Sequence, residues 1–183
     1  SAPSKSNLQQ YSIIVIKDPA VRKALAPWCP RTNGIENVPV LLAFCADIRR
    51  NQRIGDYQDK PHLNNNMDTF LNASADAALA MAFFTVAAEA AGLGTACLSS
   101  MRDHIYQVSD VLGLPNGVYP VAGLMCGWPN VPGYVNQRLP QSVVVHRDRY
   151  DDTNLKAEID GYDRTRHGIF PIPCLLYTSP SPR

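Results

Sequence analysis

The stretch from Asp76 to Asp103 constrains the fold more than any other part of the chain. Residues 76–91 read DAALAMAFFTVAAEAA, an alanine-rich segment in which only Asp76, Thr85 and Glu89 are polar. A helix that is apolar nearly all round is buried inside a protein or against a partner. The sequence therefore predicts one long central helix that is covered by the rest of the fold or by a second chain.

The residues after this helix predict a turn and the start of another helix. Gly92-Leu93-Gly94 ends the central helix, because glycine takes the left-handed C-cap conformation at little cost. Residues 95–98 then read as a short connector, and Ser100–Asp103 has the spacing of a capping box that opens the next helix. Backbone N–H groups exposed around Ser99 and Ser100 would favour an anionic or electron-rich group.

Apolar runs elsewhere predict a sheet. Continuous runs at residues 12–16, 40–45 and 119–126 predict buried strands, and residues 143–146 predict a fourth, short strand. Residues 47–66 and 147–167 are polar or of mixed charge, and we expect them on the surface. Strands and helices are interleaved, which indicates an α+β or α/β fold with a mixed sheet.

Composition narrows the function classes. A net charge of +1 with 18% charged residues does not give the basic surface of a nucleic-acid-binding protein. Asp76 and Glu89 lie inside the longest apolar stretch and argue against a membrane span. Five scattered cysteines, with no CxxC motif and no histidine at ligand spacing, indicate free thiols in a reducing compartment rather than a metal site. We therefore expect a cytoplasmic protein without metal, membrane or nucleic-acid partners.

Both ends of the chain differ from the part between them. The chain has no initiating Met and begins within a motif described below, whereas the proline-rich stretch after Phe170 resembles a translated adaptor. We expect one domain over residues 1–167, truncated at its N-terminus, and a non-native tail over residues 168–183.

The chain contains no familiar catalytic constellation. GxSxG, HExxH and Walker motifs are missing, and Gly92-Leu93-Gly94 lacks the third glycine and the preceding strand of a dinucleotide fingerprint. Cys97 is explained either as a reactive thiol or, more commonly for such a residue, as a buried structural thiol. A protein without its own acid, base or nucleophile typically takes its chemistry from a cofactor.

Five motifs, each weak alone, follow one another in a recognisable order: Ala2–Gln9, Phe44–Asp47, Ala87–Gly94, Gly123–Pro129 and Arg138–Pro140. With this order and spacing the chain resembles the nitroreductase family, in the branch of oxygen-insensitive NADPH nitroreductases and FMN reductases. The resemblance implies an α+β homodimer, with a mixed β-sheet flanked by helices and built around a long central helix. It places FMN at the subunit interface and Ala80 and Phe84 against the partner.

The same resemblance implies a ping-pong reaction in which hydride passes from NADPH or NADH through the flavin to a small-molecule electron acceptor. Nitroaromatics, quinones and free flavin are the acceptors that it suggests. No side chain is assigned as catalytic, because the flavin carries the hydride. Two alternatives stay open: a flavin-binding or structural homodimer without turnover, and a relative with a specialised substrate that acts by dehalogenation or flavin fragmentation.

The resemblance also implies the flavin contacts. Ser4, with Ser6 and Asn7 beside it, would meet the pyrimidine edge or the ribityl chain, and Arg138 would reach the phosphate. The chain departs from the family pattern at Thr32, where a glutamine is expected, and at Asn136, where a lysine is usual. Backbone contacts to the reactive flavin edge are implied at four consecutive residues: Cys97, Leu98, Ser99 and Ser100.

Overall fold

A computed structural model of the chain describes residues 1–30, 32–60, 66–131, 133 and 135–169. The chain divides into two compact units, with bounds Ser1–Pro132 and Gly133–Arg183. Almost all of the predicted tail lies outside the described residues, which end with helix α6 (Leu155–Ile169). The boundary predicted between domain and tail therefore stays a prediction.

The first unit contains one four-stranded sheet. Its strands are β1 (Tyr11–Ile16), β2 (Val40–Asp47), β3 (Gly94–Leu98) and β4 (Val118–Gly127), in the order β1-β2-β4-β3. The three continuous apolar runs are confirmed as strands β1, β2 and β4, but the prediction that all three are buried is wrong for β1, where Ile13 and Val15 are exposed. The α+β class is also confirmed, but the three described pairings are all antiparallel rather than mixed. The helices between β2 and β4 return the chain to run against β2, with Tyr119 opposite Ala46.

Helices cover both faces of this sheet. The period of two along β2 sends Leu41, Ala43 and Cys45 into a core shared with α1 (Pro19–Leu25) and α4 (Ile105–Leu112). The alternate residues Leu42 and Phe44 point to the other face, where α3 (Met67–Ala90) packs on them. Seven of the eight β2 residues are buried, as the unbroken apolar run predicts for a central strand.

The predicted central helix is α3, which is longer than expected and less covered. Asn66 caps its start by accepting a hydrogen bond of 3.0 Å from Thr69 N. At its end, Gly92 has φ +82°, and Leu93 N donates to Ala88 O at 3.0 Å in a Schellman arrangement, as the glycine predicted. Within the described residues, α3 is the helix long and apolar enough to cross a membrane, and 22% of that stretch is buried.

The two α3 residues predicted to meet a partner pack instead within their own chain. Ala80 is buried against Leu42, Phe44 and Leu124, and the Phe84 ring meets the Phe44 ring edge-on at 6.1 Å. Other apolar side chains of α3 are uncovered, among them Leu71, Phe83 and Val86. The helix is therefore a core helix that also carries an open apolar surface.

Three local predictions were wrong. Residues 95–98 form the edge strand β3 rather than a connector, because Gly94–Leu98 pairs in register with Gly123–Gly127 of β4. The predicted capping box is a 3₁₀ turn at Ser99–Arg102 with no side-chain cap, and α4 begins only at Ile105. The strand predicted at residues 143–146 is replaced by a short helix, α5 (Gln141–Val144).

Both polar segments that were predicted to lie on the surface contain helices. Residues 47–66 hold α2 (Arg49–Tyr57), which has no buried residue, and residues 61–65 lie outside the described part. Residues 147–167 hold most of α6 (Leu155–Ile169), also without a buried residue. In the described parts of both segments surface exposure was predicted correctly except at Asp47, which is buried at the end of β2, and the helices were missed.

Candidate functional site

The buried carboxylate of Asp76 organises the N-terminal loop. It is 1% exposed, and its Oδ2 accepts hydrogen bonds from Ser4 Oγ at 2.6 Å and Gln10 N at 3.0 Å. Its Oδ1 accepts a third from Lys5 N at 2.9 Å. Ser4 Oγ in turn accepts from Gln9 N at 2.7 Å. A buried charge is tolerated when hydrogen bonds satisfy it, so these bonds fix the loop to α3.

The loop held in this way carries an unusual backbone. The backbone φ values of Ser6, Asn7 and Gln9 are +51°, +57° and +49°. These values lie in the left-handed region, which residues other than glycine seldom adopt. Conformations of this kind persist only where the surroundings enforce them, and they concentrate at functional sites. The side chains of Ser6 and Asn7 are exposed, and within the described residues the side-chain amide of Asn7 makes no hydrogen bond.

A second group of predicted residues meets between two distant loops. The hydroxyls of Thr32 and Ser100 lie 2.7 Å apart and share a hydrogen bond across 68 residues of sequence. Arg22 holds the loop that carries Thr32, since its buried guanidinium donates to Ile16 O at 2.9 Å and to Val38 O. The sequence prediction of a site that includes both Thr32 and Ser100 is consistent with this contact.

The segment Cys97–Ser100 runs off the end of the edge strand β3. Leu98 and Ser100 are buried, whereas Cys97 and Ser99 are exposed, so the expectation of a buried thiol at Cys97 is wrong. The turn after the strand is held close to β4, because a Cβ at Gly123 would lie 2.6 Å from Met101 Cε. As an edge strand, β3 leaves alternate backbone N–H and C=O groups unpaired by the sheet.

The thiol of Cys29 lies next to the Thr32–Ser100 pair. Burial raises the pKa of this thiol, although a hydrogen bond with Ser100 partly offsets the effect. The thiol is therefore protonated at neutral pH. It supports the hydroxyl pair as a neutral neighbour and contributes no charge.

Asn136 and Arg138 belong to the second unit. Both side chains are exposed in the segment before α5, and within the described residues neither makes a hydrogen bond or ion pair. The intervening Gln137 is fixed through its carbonyl, which accepts a hydrogen bond of 3.4 Å from Tyr162 on α6. The Arg138 guanidinium is thus presented on a segment that is tied to its own unit.

The ten predicted residues therefore form three groups: the loop of Ser4, Ser6 and Asn7; the Thr32 and Cys97–Ser100 group; and Asn136 with Arg138. No hydrogen bond among the described residues joins the first two groups. Asp76 was missed as a site residue, although a carboxylate in the middle of an alanine-rich helix was the available signal. The groups that donate hydrogen bonds to Asp76 lie 66 to 72 residues away in the sequence, and local sequence patterns do not reveal such contacts.

Comparison with known proteins shows the family of the chain. A profile described as "Nitroreductase family" matches residues 1–128, and one described as "Nitroreductase family, C-terminal domain" matches residues 136–169. The chain belongs to the nitroreductase family. The recognition made from the five motifs is thereby confirmed.

Curated relatives in the family share about a third of their residues with this chain. The FMN reductase [NAD(P)H] of Bacillus subtilis is 34% identical over 166 residues, which cover 89% of this chain and 67% of the relative. The oxygen-insensitive NADPH nitroreductase of Salmonella typhimurium is 34% identical over 163 residues, covering 87% of this chain and 66% of the relative. The chain thus spans about two thirds of the length of these proteins.

A solved structure agrees in fold. The NADPH:FMN oxidoreductase from Vibrio harveyi, complexed with NAD+, superposes with a TM-score of 0.85 at 30% identity, covering 93% of this chain and 72% of that one. The nitroreductase-like α+β fold is therefore established for this chain by both sequence and structure.

Proposed function

We propose that this chain is an FMN-dependent oxidoreductase that oxidises NADPH or NADH and reduces a small-molecule acceptor. The observation that carries the proposal is the pair of family matches, over residues 1–128 and 136–169, because together they include every predicted flavin-contact residue. Relatives named as FMN reductase and NADPH nitroreductase lie within the same family.

The N-terminal loop fits the polar part of a flavin. Ser6 and Asn7 offer exposed hydroxyl and amide groups from a backbone that Asp76 holds in place. An amide both donates and accepts hydrogen bonds, as the pyrimidine edge and the ribityl hydroxyls require. Because Asp76 already satisfies the Ser4 hydroxyl, we assign Ser4 to holding the loop as well as to flanking the flavin.

The Thr32 and Cys97–Ser100 group fits the reactive edge of the ring. The unpaired backbone groups of β3 supply donors from a strand edge, which replaces the helix-start argument made from the sequence. The mutual hydrogen bond of Thr32 and Ser100 fixes the turn that follows the strand. Fixed donors of this kind stabilise developing negative charge without reorganising.

Arg138 fits the phosphate. An exposed guanidinium without a partner in the described residues is free to form a charge-assisted, bidentate contact with a phosphate. Asn136, two residues earlier, adds hydrogen-bonding capacity but no charge, so we assign the charge contribution of this segment to Arg138 alone.

FMN, when bound, supplies the hydride-accepting centre between NAD(P)H and the acceptor. The chain's own residues bind and orient, and we assign no side chain as catalytic. We propose nitroaromatics, quinones and free flavin as acceptors, used in a ping-pong reaction in which the oxidised nicotinamide leaves before the acceptor enters.

We also propose that the chain works as a homodimer through α3. Val86 is 69% exposed, Leu71 63% and Phe83 49%, although all three are large and apolar. Large apolar side chains left exposed along one helix are typical of an interaction surface. A second copy would cover this surface on both helices at once, since a two-fold axis pairs the same patch with itself.

Steady-state kinetics test the proposed reaction. With FMN added, NADPH or NADH oxidation is measured at several fixed concentrations of a quinone or nitroaromatic acceptor. A ping-pong reaction gives parallel double-reciprocal lines, whereas a ternary complex gives intersecting lines. Absence of nicotinamide oxidation with every acceptor and FMN present would contradict the proposed function.

A further inference from the structure

A groove of about 490 Å³ lies on the first unit, away from the predicted flavin contacts. It runs between α2, β1 and the segment from the end of α4 to the start of β4. Ile14, Leu112, Leu114 and Val118 form its apolar floor, and all four also pack on the core beneath. A volume in the range of roughly 300–1,000 Å³ is typical of small-molecule sites.

One wall of the groove is cationic. Arg49 and Arg53 are four residues apart on α2, so their side chains lie on one face of the helix. Arg49 is half-buried, and its Cβ lies 3.2 Å from where a Cβ of Gly117 would stand, so the base of its side chain is held in place. Arg53 stacks on the Tyr57 ring with its Cζ 5.5 Å from the centroid.

The carboxylate that lines this groove is already paired with an arginine outside the proposed pair. Asp47 is buried and accepts hydrogen bonds from Ser12 Oγ at 2.5 Å and from Arg50 Nη2 at 3.1 Å. Within the described residues, neither Arg49 nor Arg53 has a carboxylate partner. The groove therefore combines an apolar floor with two uncompensated positive charges.

We propose that this groove binds a small amphipathic oxyanion, with its apolar body on the floor and its charged head between Arg49 and Arg53. A guanidinium presents paired donors that match a carboxylate or phosphate oxygen pair. The apolar floor excludes a bare inorganic anion as the preferred ligand, because such an ion gains nothing from apolar contact. The proposal is independent of the flavin site, since none of the described lining residues is a predicted flavin contact.

Octanoate is the probe, titrated into the full chain by calorimetry and by two-dimensional amide NMR. Octanamide has the same shape without the charge, and inorganic phosphate has the charge without the apolar body. We expect saturable binding of octanoate with shifts at Gly113 and Gly55, and at least roughly tenfold weaker binding of both other compounds. Arg49→Gln combined with Arg53→Gln should weaken octanoate by roughly tenfold or more.

The matched control is Lys23→Gln, which removes an exposed positive charge on α1 outside the groove and should leave octanoate binding unchanged. Equal binding of octanoate and octanamide would overturn the assignment of the two arginines. Equal binding of phosphate would overturn the role of the apolar floor. An unaffected double variant, or no saturable octanoate binding at all, would overturn the site itself.

Discussion

The Ser4 hydroxyl donates a 2.6 Å hydrogen bond to the Asp76 carboxylate, 72 residues further along the chain. Through this bond and two backbone donors, one buried charge on the central helix fixes the loop that carries Ser6 and Asn7. The N-terminal part of the proposed flavin site therefore depends on Asp76, although this residue is assigned no contact with the flavin.

Asp76→Asn should destabilise the fold and weaken FMN binding together. An amide keeps one acceptor but turns an N–H group toward donors, which leaves a buried hydrogen bond unmade at a cost of about 1–3 kcal/mol. Urea unfolding measures the first effect and an FMN titration the second. Asp68→Asn, on the exposed first turn of the same helix, is the control and should cost far less. Unchanged unfolding and unchanged FMN affinity would refute the role given to Asp76.

Val86→Asp should convert a dimer to a monomer without unfolding it. The side chain is 69% exposed in the single chain, so a charge there is solvated in the monomer and buried without a partner in a dimer. Light scattering gives the mass and circular dichroism the folded state. Tyr106→Asp on α4 is the control, since Tyr106 is 81% exposed but lies away from α3. A Val86→Asp protein of unchanged dimeric mass would show that this residue lies outside the interface.

Arg138→Gln should weaken FMN binding and leave riboflavin binding unchanged, because riboflavin lacks the phosphate. A hydrogen bond to a charged group is worth about 1.5–3 kcal/mol, so the loss for FMN should be roughly tenfold or more. Calorimetric titrations of both ligands give the comparison. Arg149→Gln, an exposed arginine of the same unit, serves as the control. An equal loss for both ligands would place Arg138 away from the phosphate.

Cys45 should make stability fall at alkaline pH. Burial, with the Asp47 carboxylate nearby, raises the pKa of its thiol to about 12. In the unfolded chain the thiol ionises at a pH of about 8.5. The stability that depends on the protonated Cys45 thiol is therefore fully present below that pH and is lost as the pH rises toward about 12. The free energy of unfolding should fall by up to about 1.4 kcal/mol per pH unit over that window from this thiol.

Urea unfolding at several pH values across this window compares the chain with the Cys45→Ala variant. The free energy of unfolding of the variant should fall less steeply with pH, and the difference in slope should correspond to one proton. Cys97→Ala removes an exposed thiol and should keep the original slope. Parallel curves for the chain and Cys45→Ala would contradict the raised pKa.

Sequence patterns predicted the parts of this fold that depend on neighbouring residues. The unbroken run of β2 and the glycine that ends α3 are local signals, and both were interpreted correctly. Strand β3 was missed because Thr95–Leu98 has no strand pattern of its own and becomes a strand only by pairing with β4. The Val-rich run at residues 143–146 predicted a strand, but Val143 and Val144 form the end of helix α5, since tertiary context overrides strand propensity.

The candidate site was predictable where a motif carried it and not where it depends on long-range contacts. The residues around Ser4 and Cys97–Ser100 came from recognisable segments. The burial of Asp76 and the exposure of Cys97 depend on which elements pack together, so the first was missed and the second was predicted wrongly. The interface residues Ala80 and Phe84 were inferred from the apolar circumference of the helix and from the family resemblance, and neither tells the two faces of α3 apart.

The visible absorption spectrum of the purified chain, mixed with FMN, freed of excess ligand and kept without oxygen, tests the central claim most directly. We expect a retained flavin whose oxidised absorbance bleaches on addition of NADPH or NADH and returns when a quinone or air is admitted. A chain that retains no flavin, or retains it with absorbance unchanged by both nicotinamides, would contradict the account.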